Sequence, residues 1–403
     1  MPKALISTLS PISGGVPQMA GFIADVLKER GIDSSFVYYQ PYSLSPELSV
    51  PVHRLAARNI GRKHSRFRDS PAHALGAWFP ELECTHYWLT KYWRALIDQH
   101  DVHLSVSGNC LAATPYTMSA APFWSWVATA WAEDRVQRAG EFSWYRKILD
   151  RLITTRCAGR LEKKILASGG TIVALSEHTK KMLSSLLSKP ALIGVMPMGI
   201  DTDRFNISGV SATQAPTIGF VGRLDDPRKN IGLLLRAMAQ CHKSNVNVAA
   251  ILVGEGGQQD LRRRVDAYGL GDVVTILNYT QNDDVPEVLS RMDVFVIPSH
   301  QEGLCIAGLE AMSCGVPVIS TRCGGPEEFV IDNVTGYLVD NAHEPMAEAI
   351  TRVVADPYLR ETLGANARQL VHDRYSVQHV KELFWSSFSK TFPQHLLGRN
   401  LFP

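Results

Sequence analysis

Residues 293–325, DVFVIPSHQEGLCIAGLEAMSCGVPVISTRCGG, constrain the fold of this chain more than any other stretch. They open on Val294-Phe295-Val296-Ile297, an uninterrupted apolar run of the kind that fills a strand buried on both faces of a parallel sheet. Pro298 ends that strand, and the polar loop 299–303 turns the chain into a helix at 304–314, where Ile306, Leu309 and Met312 recur at helical spacing. Gly315 supplies a helix stop, and a second strand follows at 316–321. Sheets built from such units bind ligands where the loops leave the carboxyl ends of the strands.

Two glutamates mark the loop and the helix. Glu302 and Glu310 are eight positions apart (310 minus 302), at most about 12 Å if the segment is wholly helical. That spacing suits a ligand with hydroxyl pairs at both ends and a phosphate between them, because a carboxylate accepts two hydrogen bonds from a vicinal diol. Amides of the first turn, near Leu304, Cys305 and Ile306, would face the phosphate. The same pair also reads as solvated surface charge, and only the rest of the chain decides between the two.

A length of 403 residues favours two or more domains. The formal charge of +2 implies no overall attraction to nucleic acid, which is not expected as a partner, nor to a membrane, although local patches remain open. The seven cysteines form no Cys-x-x-Cys pair, and Lys3 leads into a strand rather than a signal peptide, so a reducing cytoplasm with free thiols is expected. Cys305, Cys314 and Cys323 lack metal-ligand spacing, and no metal is assigned. No apolar run is long enough to span a bilayer.

Strands and helices alternate elsewhere too, the mark of an α/β chain with parallel sheets. Residues 4–7 read as a strand, followed by a loop with Gly14-Gly15 and a helix ending at Gly31. The glycine pair either lets backbone approach an anion or is an ordinary tight turn. Further strands are expected at 102–106, 123–130 and 171–175, with helices at 87–98 (holding both Trp88 and Trp93) and 142–166. A polar segment, 199–215, reads as a linker, and a second alternating series starts with the strand 217–221. Arg223 and Lys229 flank a proline turn at that strand's exit, where both cations could meet one anion. The last helix, 376–388, carries Val380, Leu383, Phe384 and Phe388 on one face and should pack back across the molecule.

The basic block 53–68 holds Arg54, Arg58, Arg62, Lys63, Arg66 and Arg68 with no acidic residue, and reads as a solvated face or flexible loop. Seven of the eight tryptophans lie between Trp78 and Trp144. They read either as core or, with the basic block, as a surface for an anionic lipid or a phosphorylated partner.

Taken together, these residues resemble the retaining nucleotide-sugar glycosyltransferases of GT-B fold (glycosyltransferase family 4, glycosyl transferases group 1). The likeness is carried by Gly222-Arg223-Leu224 with Lys229, Gly254-Glu255-Gly256, Glu302-Gly303 with Glu310-Ala311-Met312, and Gly315-Val316-Pro317-Val318, all in order. It extends less strongly to Gly14-Gly15 and Gly199-Ile200-Asp201, and is thin from 41 to 167. It implies two Rossmann-like domains facing each other across a cleft: an acceptor-side domain at 1–198, joined by roughly 380–403 crossing back, and a donor domain at 216–379. It further implies a metal-independent, retaining hexosyltransferase, needing no cofactor, that moves a sugar from a UDP- or GDP-sugar to a carbohydrate, lipid or small-molecule acceptor. A sugar-nucleotide epimerase or hydrolase of the same fold, or a non-catalytic nucleotide-sugar-binding protein, is the alternative.

The residues implied are Arg223 and Lys229 for the diphosphate, Glu302 for the transferred sugar and Glu310 for the ribose. Gly14, Gly15, Gly303, Leu304, Cys305 and Ile306 are implied as further donor contacts. Cysteine stands at 305 where the family usually has glycine, and no histidine occurs between His103 and His178, where many members carry one in an acceptor-side loop. Trp131, Glu133 and Asp134 are the acceptor-side candidates. The setting expected is cytoplasmic, with peripheral contact at the inner face of the membrane as the further expectation.

Overall fold

The computed structural model describes residues 2–10, 15–54, 59–138, 144–187, 193–206, 215–278 and 285–395. The chain forms two compact units, Met1–Met196 with Lys381–Pro403, and Pro197–Val380. The segment expected as a linker therefore begins inside the second unit. The Ile200 amide donates to the Tyr375 carbonyl at 2.7 Å, and the Val377 amide to that of Ile200 at 3.1 Å.

The first unit is built on eight strands: β1 (Lys3–Thr8), β2 (Asp33–Tyr39), β3 (Arg62–Phe67), β4 (Ser70–Leu75), β5 (Val102–Ser107), β6 (Trp124–Val127), β7 (Thr171–Ala174) and β8 (Ile193–Val195). They lie in the order β3-β4-β2-β1-β5-β6-β7-β8. All neighbours are parallel except β3, which runs antiparallel to β4. Every residue of β5 and β6 is buried, as expected of central strands covered on both faces.

Two expectations are corrected here, and a third is decided. Of the two readings of the basic block, the solvated face holds at Arg62–Phe67, an edge strand with only Phe67 buried and stacked on Phe36 at 4.2 Å. Its exposed cations discourage a further strand from pairing with that edge. The second helix starts at Lys91, capped by the Thr90 hydroxyl, so Trp88 lies outside it. The tryptophans divide: Trp93, Trp124, Trp126 and Trp131 are core, whereas Trp88 and Trp144 are exposed.

The last helix, Val377–Thr391, buries Val380, Phe384 and Phe388. From Lys381 on it belongs to the first unit. There Phe384 meets Trp124 edge-on at 5.2 Å, the Trp124 indole donates to Ser387 Oγ at 2.9 Å, and Lys381 pairs with Glu29 at 2.7 Å.

The second unit holds β9 (Thr217–Val221), β10 (Ala249–Val253), β11 (Val274–Leu277), β12 (Val294–Ile297), β13 (Val318–Thr321) and β14 (Gly336–Val339). Their order is β11-β10-β9-β12-β13-β14, all parallel. This is the doubly wound arrangement, and its order reverses between β9 and β12. Leu234, Leu252, Val294 and Val296 are wholly buried in its core beside Ile350 and Val353.

Candidate functional site

At that switch point the strand exits are tied to one another through backbone. Gly222 N donates to Val253 O and Leu224 N to Glu255 O, both at 2.9 Å, joining the loops after β9 and β10. His300 N donates to Arg228 O at 2.7 Å, fastening the loop after β12 to the loop after β9. Glu302 N donates to Cys323 O at 2.8 Å and Gly325 N to Glu302 O at 2.9 Å, adding the loop after β13. Gly254 and Gly325 permit this closeness: a Cβ on the first would overlap the Gly222 carbonyl, and one on the second the backbone of Gly303 and Leu304.

On this platform Glu302 is buried, and its Oε1 accepts from Lys229 Nζ at 2.7 Å and from Ser299 Oγ at 2.6 Å. Burial alone would lower the Lys229 pKa. The Glu302 charge and hydrogen bond outweigh it and raise it overall, so Lys229 is a fixed cation. Arg223, half-exposed, rests on Asp226 rather than beside Lys229. Asp226 caps the short turn Pro227–Lys229 by accepting from Arg228 N at 3.0 Å, and also takes Arg228 Nη2 at 2.8 Å. Burial opposes its ionisation, but the hydrogen bonds and charge of Arg228, with Arg223 beside it, hold the carboxyl well below the usual range. The two expected phosphate cations thus stand on one loop, each on its own carboxylate.

The helix after β12 spans Ile306–Ser313, starting two residues later than the spacing predicts. Cys305 precedes it with φ +69°, a left-handed conformation that strains a residue with a Cβ, which breaks the helical path from Glu302 to Glu310. Burial and then the Glu302 charge push the Cys305 thiol far above its ordinary value, so it stays protonated. Leu304 is buried and Gly303 lies against Gly325, while the first-turn amides at Ile306 have no intrahelical acceptor. Glu310 makes no side-chain hydrogen bond among the described residues. Burial pushes its carboxyl up to about 7 against the opposing charge of Arg204.

The remaining candidates lie in the first unit. Gly14 is outside the described residues, and Gly15 opens the helix Gly15–Glu29. Trp131 and Glu133 lie on the helix Trp131–Arg138 after β6; the Asp134 side chain is not described. Trp131 is core, its amide donating to Glu162 Oε1 at 3.0 Å. Glu133 accepts from Thr129 Oγ1 at 2.9 Å and bonds His178 Nε2 at 2.7 Å, joining the exits of β6 and β7. Sequence reasoning missed Ser299, Arg228 and His178. No periodicity marks them, although Asp226 before Pro227 and Ser176 before Thr179 are capping signals that place two of their loops. No group of three His, Cys, Asp or Glu among the described residues is arranged to hold a metal ion.

Residues 201–370 match the family model described as Glycosyl transferases group 1. Over 231 residues the chain is 27% identical to the GDP-mannose-dependent alpha-(1-6)-phosphatidylinositol monomannoside mannosyltransferase of Mycolicibacterium smegmatis, covering 53% of this chain and 60% of the relative. Over 226 residues it is 30% identical to a D-inositol 3-phosphate glycosyltransferase of Actinosynnema mirum, covering 51% and 54%. The chain therefore spans little more than half the length of these curated relatives. Among solved structures it is similar to sucrose-phosphate synthase from Thermosynechococcus elongatus, with a TM-score of 0.72 at 20% identity over 97% of this chain and 99% of that one. It is likewise similar to Anabaena HepE in complex with UDP-glucose, with a TM-score of 0.69 at 18% identity over 96% and 99%. These likenesses show the fold, which is α/β and GT-B.

Proposed function

We propose that this chain, whose residues 201–370 belong to the glycosyl transferases group 1 family, is a retaining glycosyltransferase acting without a metal ion or cofactor. Its donor is a UDP- or GDP-sugar, and its acceptor a carbohydrate, lipid or small molecule. The observation that carries the reading is the Lys229–Glu302 pair at 2.7 Å together with the Glu310 carboxyl on the following helix, which makes no side-chain hydrogen bond among the described residues. The adjoining exits of β9 and β12 thus offer a cation for phosphate and two carboxyl groups for hydroxyls.

In this reading Glu310 takes the ribose diol, Lys229 and Arg223 the diphosphate, and Glu302 the sugar hydroxyls. As the bond between the anomeric carbon and the phosphate oxygen breaks, its electrons pass to the diphosphate. Lys229, Arg223 and the helix amino terminus at Ile306 offset the growing charge. The acceptor oxygen bonds the anomeric carbon from the same face, and its proton passes to the departing phosphate. Acceptor contacts fall to the first unit, where Glu133 of the expected acceptor-side segment bonds His178 at 2.7 Å.

The test is a panel of UDP- and GDP-sugars read by ligand-induced thermal shift, then assayed with acceptors and the product linkage read by NMR coupling. An α-linked product from an α-linked donor supports the reading. An inverted linkage removes the retaining mechanism. Donor turnover as fast without acceptor as with it turns the reading to a hydrolase or epimerase, and binding without turnover to a sensor.

A further inference from the structure

The first unit carries an uninterrupted helical rod from Trp144 to Leu166, formed by Trp144–Leu149, a wider π-helical turn Asp150–Thr154, and Thr155–Leu166. Its inner row, Asp150, Thr154, Ala158, Glu162 and Leu166, recurs every four residues and is buried. Both of its acidic residues are in that row: Asp150 pairs with Arg135, and Glu162 caps the helix that begins at Trp131. The outer row has the same spacing and reads Trp144, Ile148, Leu152, Arg156, Arg160, Lys164. Trp144 is 75% exposed, Ile148 52% and Leu152 53%. Lys147, Arg151 and Lys163 are exposed alongside, and none of these six cations is in an ion pair with a carboxylate among the described residues.

An exposed tryptophan and two aliphatics in line, continued by cations, have no business on a surface that meets only water. From this face we infer a docking site for an anionic lipid bilayer, on which the rod lies along the interface with Trp144, Ile148 and Leu152 in the acyl boundary and the cations among the headgroups. The charge pattern selects the occupant: every charge described on the outer side is positive, while both carboxylates are turned inward, so the face complements a continuous anionic surface. No helix of the described residues is long and apolar enough to cross a membrane, so the contact is peripheral. The inference stands apart from the proposed transfer reaction, since it is read by partition and not by turnover.

The experiment is sedimentation of the full chain with vesicles of phosphatidylcholine alone and with phosphatidylglycerol added. Co-sedimentation is expected only with the anionic vesicles, falling at high salt. Trp144→Ser with Ile148→Ser and Leu152→Ser should lower partition roughly tenfold or more, and each of Arg156→Gln, Arg160→Gln and Lys164→Gln about fivefold. All six side chains are exposed, and unchanged thermal midpoints will show that the variants fold. A second readout is tryptophan fluorescence on vesicle addition, whose change should be lost in Trp144→Phe. The inference is overturned if wild type stays in the supernatant with anionic vesicles. It is also overturned if Arg62→Gln with Lys63→Gln and Arg66→Gln on β3 abolishes binding while the helix variants bind normally, or if the triple Ser variant turns a wild-type dimer into a monomer with vesicle binding unaffected.

Discussion

Lys229 and Glu302 lie 73 residues apart in sequence and 2.7 Å apart in the fold, side chains 20% and 10% exposed, with Ser299 holding the same carboxylate oxygen. The pair joins the exits of β9 and β12 at the switch point. In the proposed reading the cation serves the diphosphate and the carboxylate the sugar, and each keeps the other from being a lone buried charge. In that reading a bound donor competes for both partners, and the pair loosens as ligand arrives.

Lys229→Ala should therefore lower turnover on the order of 100-fold, and Arg223→Ala by a comparable factor, because each removes a contact to developing charge. Lys229→Ala should also cost about 2 kcal/mol of stability by leaving Glu302 with Ser299 alone. Steady-state kinetics with denaturant unfolding separate the two effects. Near-normal turnover in both variants would remove the diphosphate assignment.

Glu302→Ala should leave binding of the free nucleoside diphosphate intact and suppress sugar transfer, whereas Glu310→Ala should weaken that binding directly. The two carboxyls sit on either side of the break at Cys305, so one ligand end reaches each. Calorimetry with the diphosphate alone distinguishes them. Equal losses would sink the division of roles.

Burial raises the Glu310 carboxyl from its ordinary 4.5 to about 7. The free protein thus holds a proton there that the unfolded chain gives up, and this group's contribution to stability falls as pH rises from about 4.5 through 7. A ribose diol needs the carboxylate as acceptor, so nucleotide binding near pH 6.5 should release a proton. Calorimetry in two buffers of different ionisation enthalpy will show it, and Glu310→Gln should abolish the difference. Binding with no proton release in wild type would contradict Glu310 as the ribose ligand.

Glu162 is almost wholly buried, and its carboxyl is pushed up to about 7 by burial, against the Trp131 amide that favours the ion. By the same sign, the wild type carries a cost above pH 7 that is absent below about 4.5, on the order of 3 kcal/mol. Glu162→Gln keeps an acceptor for the amide and removes the charge. Its thermal midpoint should gain on the wild type as pH goes from 5 to 8. Parallel midpoints at both pH values would show that Glu162 does not titrate in this range.

Much was legible from local pattern alone. The buried run Val294-Phe295-Val296-Ile297 is a four-residue strand with every residue buried, because a centre strand covered on both faces can hold only apolar side chains. Gly254 and Gly325 occur where two backbones touch, and only glycine leaves room. The strands β3, β4, β8 and β14 were not legible, since their short or polar sequences carry no period of their own and exist by pairing with a neighbour.

The sequence by itself determined the α/β alternation, the central strands and the loop that carries Glu302, because burial and backbone conformation at those positions admit few residue types. Only the tertiary structure decided that Lys229 meets Glu302 while Arg223 meets Asp226, that His178 reaches Glu133, and that the row from Trp144 to Lys164 faces outward. Long polar side chains have several partners within reach along the chain, and which one each takes depends on how close the sheet brings distant loops.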